Sequence, residues 1–77
     1  MTDYQPVSCE YHSYLEHLII LARPVLLTWI NKHQKQFSET VQILDIYSRK
    51  REEFIRVQIQ AETPFEIRLD RIMTKFV

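Results

Sequence analysis

Cys9 and His12 are the nearest this chain comes to a nucleophile and a base. A helix N-terminus can lower a thiol pKa. Nucleophilic catalysis also asks for a third group that orients the base, and none accompanies this pair. The simpler reading is a small, partly buried thiol at the start of a helix. His12 and His17 are five positions apart and do not stack on one helical face, while His33 sits in a polar turn. With a single thiol and no convergent carboxylates, these histidines do not make a metal-ligand set. Glu52 and Glu53 are adjacent within a charged stretch rather than paired across a site. Phosphate-binding loops, nucleophile elbows and zinc-helix motifs are all missing, and a chain with no glycine cannot build a glycine-rich cradle. The expectation is a protein that binds rather than catalyses, with no cofactor and no metal.

The binding candidates follow from charge and aromatic placement. The 77 residues carry 10 basic and 10 acidic side chains. Asp3, Glu10 and Glu16 occupy residues 1–22 without a single lysine or arginine, so all ten basic residues fall within 23–77. A conventional nucleic-acid binder shows a basic excess, so direct nucleic-acid binding is not expected. Tyr4, Tyr11 and Tyr14 lie in or beside the acidic segment. Tyrosine gives an interface large contact area at low entropic cost. Tyr11 reads as mostly structural, leaving Tyr4 and Tyr14 as contact candidates. Arg49-Lys50-Arg51 is the one basic run. It reads first as a solvated hairpin tip and second as an RNA or acidic-partner contact.

The length implies one domain with a thin core, because a chain of this size buries roughly 60–65% of its unfolded surface. The lone Cys9 suits a reducing, cytoplasmic setting. No apolar run is long enough to span a membrane, and no secretory signal is evident. Pro6 makes residues 1–9 an extended lead-in. Tyr11, Leu15, Leu18, Ile19 and Ala22 then define one helical face. Ser8 is a candidate cap, and Ser13 with Glu16 offers a later start. Pro24 ends the helix. Beyond it the period falls to two. A first strand over 25–31 is apolar on both faces, which implies cover on both. A second runs from about Lys35 to Ile46, with a bulge expected near Glu39, which breaks the apolar parity. Residues 48–53 read as a charged loop. A third strand turns Ile55, Val57 and Ile59 inward. A fourth does the same with Phe65, Ile67 and Leu69, and Asp70-Arg71 turns into a fifth over 72–76. Trp29, Phe37, Phe54, Phe65 and Phe76 are assigned to core packing. Without glycine, left-handed turn positions fall to Asn31, His33 or other residues. The resulting class is mainly β (α+β): an N-terminal helix followed by a five-stranded, strongly bent antiparallel sheet, an Sm-like open barrel.

The opening Tyr4-Gln5-Pro6-Val7-Ser8-Cys9-Glu10 resembles the start of the Rho-binding antiterminators, the modulators of Rho-dependent termination. The shared pattern is a tyrosine, a proline, a hydrophobic residue and a cysteine followed by acids. Leu15-Glu16 continues it on the helix. Ser48-Arg49-Lys50 resembles the family's loop tripeptide, and Arg68-Leu69-Asp70-Arg71-Ile72 its closing segment. The resemblance runs through nearly the whole chain in the same order. It implies an Sm-like fold and binding to the hexameric helicase Rho beside its primary RNA site, with suppression of termination and no catalysis. It also implies contacts at Tyr4, Glu10 and Glu16, supported by Arg49 and Lys50. Asp3 completes the negative charge and Tyr14 adds a packing surface. Tyr11 and Ser13 stand where acids are often found, so part of the charge contact gives way to tyrosine packing.

Overall fold

The computed structural model describes residues 7–74. Asp3, Tyr4, most of the lead-in and Phe76 lie outside them. The first element, α1, is Cys9–Leu21. Ser8 is extended and its hydroxyl accepts the Tyr11 N–H at 3.2 Å, satisfying one of the free donors at the helix start. The later start at Ser13 is not used. Ala22 closes the helix in the left-handed region, φ 53°, and its N–H bonds the Ile19 carbonyl at 3.1 Å.

Four antiparallel strands follow in the order β1-β2-β3-β4: β1 Val25–Ile30, β2 Gln36–Arg49, β3 Glu52–Gln58 and β4 Phe65–Arg68. The sheet curls into a half-barrel. Strand β2 is long because it serves two partners. Residues Gln36 to Val41 pair with β1, and Gln42 to Arg49 pair with β3. Between Ile43 and Asp45 the register shifts, leaving Leu44 as an extra residue. Before it, odd-numbered residues Val41 and Ile43 face inward; after it, Ile46 does. The bulge is therefore at Leu44, not near Glu39. Glu39 pairs in regular register with Leu27.

The charged stretch 48–53 is not a loop. Arg49 pairs with Glu52 across a two-residue turn, Lys50-Arg51, with φ 51° and 68°. Both residues at positive φ mark the tight hairpin turn whose twist matches the strands. Among the described residues the expected fifth strand is also replaced. A 3-10 turn, Leu69–Arg71, swings the chain back to β1. There Ile72 makes one bridge to Trp29, and the Met73 N–H reaches the Thr28 carbonyl at 2.7 Å. The Thr28 N–H then goes to the Thr74 hydroxyl at 2.8 Å, not to a backbone carbonyl. A side chain has taken the place of the next ladder bond, so the described residues hold four strands rather than five.

The core gathers Leu15 and Leu18 from α1, Leu27 and Trp29 from β1, Val41 and Ile43 from β2, Ile55 and Val57 from β3, and Ile67 and Leu69 beyond. Strand β1 is covered on one face only, since Leu26 on its other face is 62% exposed. Phe54 also departs from its core assignment. It shares the outer face with Tyr47, their rings 6.1 Å apart. The Tyr11 hydroxyl donates to the Thr74 carbonyl at 2.9 Å, joining the helix to the returning segment.

Ala22, Gln34, Lys50, Arg51 and Gln60 are all left-handed without being glycine. Asn31 and His33 are not among them. Asn31 instead uses its side chain, whose oxygen accepts the N–H groups of His33 and Lys35 at 2.8 and 3.0 Å.

A left-handed residue with a Cβ costs roughly 1 kcal/mol relative to glycine. Urea unfolding of Ala22→Gly should show a gain of up to about 1 kcal/mol; a loss would mean the cap does not carry that strain. Burial pushes the Tyr11 phenol up to about 12 from its usual 10.0. The folded state thus holds this proton more tightly than the unfolded chain. Its stabilisation is full below pH 10.0 and is lost as pH climbs toward about 12. In Tyr11→Phe the part of the alkaline slope due to this group should vanish, together with about 1 kcal/mol from the Thr74 bond.

Candidate functional site

Burial of Leu15 and Leu18, with Tyr11 and Ile19 packed beside them, fixes the rotation of α1 on the sheet. That rotation places Glu10, Tyr14, His17 and Leu21, spaced i, i+4, i+7 and i+11, in one outward stripe. Glu16 and Ile20 share the neighbouring flank. Tyr14 is 41% exposed, Leu21 44% and Ile20 79%. No lysine or arginine occurs on the helix, and Glu10 in its first turn is favoured by the helix dipole. The result is an acidic surface with large apolar side chains standing in it.

Ile20 and Leu21 extend the candidate residues read from sequence. Their signal was their phase: both fall off the helical face defined by Leu15, Leu18 and Ile19. Cys9 corrects the expectation of a partly buried thiol, because it is exposed. His12 does not face it as a base. The two imidazole nitrogens lie 3.0 Å from Glu16 Oε1 and 3.1 Å from Glu53 Oε2. Donation to both carboxylates at once requires both nitrogens to carry protons. Through His12, Glu16 on the helix is linked to Glu53 at the start of β3. Glu53 pairs with Ser48 beside the Lys50-Arg51 turn. The fold therefore brings the hairpin tip to the same end of the barrel as the acidic helix.

Arg49 and Lys50 part company there. The Arg49 guanidinium grips Glu66 with two bonds of 2.9 and 3.0 Å and lies 4.7 Å above the Phe54 ring. The Tyr47 hydroxyl donates to the same carboxylate. Glu66 is held below the usual carboxylate range, first by Arg49 and then by Tyr47. Tyr47 is raised, first by partial burial and then by its bond to Glu66. Next to them Arg68 holds Asp70 with bonds of 2.6 and 3.0 Å and approaches Glu52 at 3.4 Å. The outer face of β2, β3 and β4 thus pairs its own charges across strands. Lys50 makes no ion pair among the described residues, so it remains open at the tip.

Asp3 and Tyr4 lie outside the described residues. The structure displays Glu10, Tyr14 and Glu16 on α1, links Glu16 through His12 to Glu53 near the tip that carries Lys50, and places Arg49 in the sheet's own network. Among the described residues no cluster of three or more histidine, cysteine or acidic side chains is arranged to hold a metal. No described helix is long and apolar enough to cross a membrane. No protein-family model, curated protein or solved structure matches the chain.

Proposed function

We propose that this chain is an inhibitory binding module for the transcription termination factor Rho, docking beside the primary RNA site of that hexameric helicase and keeping RNA out. The observation that carries the reading is the cation-free outer surface of α1, where Glu10 shares a stripe with an exposed Tyr14 and Glu16 stands with Ile20 on the next flank. An RNA cleft on a partner is basic, and carboxylates on a rigid scaffold can stand in for phosphates there. Tyr14 and Ile20 supply the apolar contact that charge alone lacks. The sequence resemblance to the Rho-binding antiterminators names the partner. The curled antiparallel sheet behind a leading helix accords with an Sm-like open barrel. In this reading the protein works by occupancy, in the cytoplasm, without catalysis or cofactor. Lys50 serves as a rim contact, and Arg49 contributes only through the hairpin it stiffens.

A second reading, an Sm-like RNA-binding module built on Arg49-Lys50-Arg51, is weakened by the geometry. Arg49 is engaged by Glu66, which leaves two open cations on the turn.

The direct measurement is RNA binding by Rho with and without this protein. RNA affinity should fall as the protein is added, and unchanged affinity at saturation would overturn the mechanism. In Glu10→Lys and Glu16→Lys the fold should persist, with slower association and a changed salt dependence. Tyr14→Ala should weaken the complex by about tenfold or more, as expected for a buried aromatic contact. If all three variants bind Rho as the parent does, the helix surface is not the contact.

A further inference from the structure

A second feature lies away from α1, along the seam where β4 and the 3-10 turn come round toward β1. The bridge between Ile72 and Trp29 closes only part of this seam. Beyond it lies a cleft of about 540 Å³ between the β1–β2 turn on one bank and β4 with the 3-10 turn on the other. Its volume is within the range of ordinary ligand sites. Its wall is aromatic. Phe37 stacks on Trp29 with ring centroids 5.7 Å apart, and Phe65 meets Trp29 at 5.9 Å. Phe37 and Phe65 are only partly buried, so the wall is presented to the cleft.

The rim is basic in a way the balanced whole-chain charge conceals. Lys32 stands on the β1–β2 turn and Arg71 on the opposite bank. Lys35 lies 5.6 Å above the Phe37 ring. None of the three makes an ion pair among the described residues. Two further charges of the lining are neutralised: Glu66 by Arg49, and Arg68 by Asp70. Within the lining Glu39 is the one acid left to oppose Lys32 and Arg71, and Lys35 adjoins them from outside the lining through its contact with Phe37. An aromatic wall between cations on two banks matches a ligand with flat rings and repeated negative charge. That combination is how single strands are held without sequence preference: bases stack on aromatic side chains while basic residues follow the phosphates.

We propose that this cleft binds a single-stranded polynucleotide, with a base against Phe37 and Phe65 and the backbone running past Lys32, Lys35 and Arg71. The site is separate from the helix surface assigned to Rho and does not depend on that assignment. It goes against the expectation from overall charge that the chain makes no direct nucleic-acid contact.

The test is fluorescence anisotropy with the full chain and a labelled single-stranded oligonucleotide. Binding should appear at low salt. Three phosphate contacts predict a fall in affinity of roughly 20-fold between about 50 and 200 mM salt. Lys32→Gln and Arg71→Gln should each flatten that dependence, whereas Lys50→Gln should not. Phe37→Leu keeps the core filled and removes the ring, so affinity should drop roughly tenfold with circular dichroism unchanged. Absence of binding at low salt overturns the proposal. So does a loss in Lys50→Gln equal to that in Lys32→Gln, which would move the contact to the hairpin tip. Equal affinity for a duplex, for a mononucleotide or for a glutamate-rich peptide would replace the single strand with another occupant.

Discussion

The fold turns on Leu44. Strand β2 has to pair with β1 along its first half and with β3 along its second, and these partners lie on different parts of a curled sheet. A regular strand of that length would keep one parity throughout. Ile46 would then face outward and Tyr47 inward, and the core and the outer charge network would exchange members. One additional residue bends the strand and resets the parity. From that reset follow the burial of Ile46 against Ile55, the outward display of Tyr47 and Arg49, and the delivery of the hairpin tip to the end of the barrel where α1 lies.

The parts of the fold that were legible are those where one physical signal acts alone. Ile55, Val57, Phe65, Ile67 and Leu69 alternate cleanly, and the structure turns them inward. Ser8 announced the helix start because its hydroxyl has an unpaired N–H within reach. Elsewhere two signals conflict. Glu39 breaks the apolar parity, which suggested a bulge there. The parity change itself comes between Ile43 and Ile46, where two apolar residues in succession hide it. Lys50 and Arg51 carry side chains that disfavour the left-handed region, so composition alone reads them as a loop. The strands on either side pair up to the turn and override that preference. Among the described residues the closing segment makes one bridge rather than a strand, and there a threonine hydroxyl takes the donor that a backbone carbonyl would take in a ladder.

The candidate site was legible to a similar degree. Glu10, Tyr14 and Glu16 are read from charge and type, and the helix displays all three. Arg49 looked like an open cation only because its partner, Glu66, is seventeen positions away in sequence and becomes a neighbour through β3. In sequence His12 stands near Cys9, whereas in the fold its partners include Glu53 on another element. Long-range pairs of this kind leave no local pattern to read.

The bond from Tyr11 to Thr74 has a consequence for how the molecule comes into being. Synthesis proceeds from the amino end, so α1 emerges first, yet everything that shelters its apolar side emerges later. A lone helix of thirteen residues is marginal in water. Leu15 and Leu18 have no cover until the strands have formed, and the bond from the Tyr11 hydroxyl to the Thr74 carbonyl cannot form until residue 74 has been made. Non-local closure of this kind slows folding. The helix is therefore made before the strands and secured only after them, and the nascent chain carries an unsheltered apolar stripe until the sheet has formed.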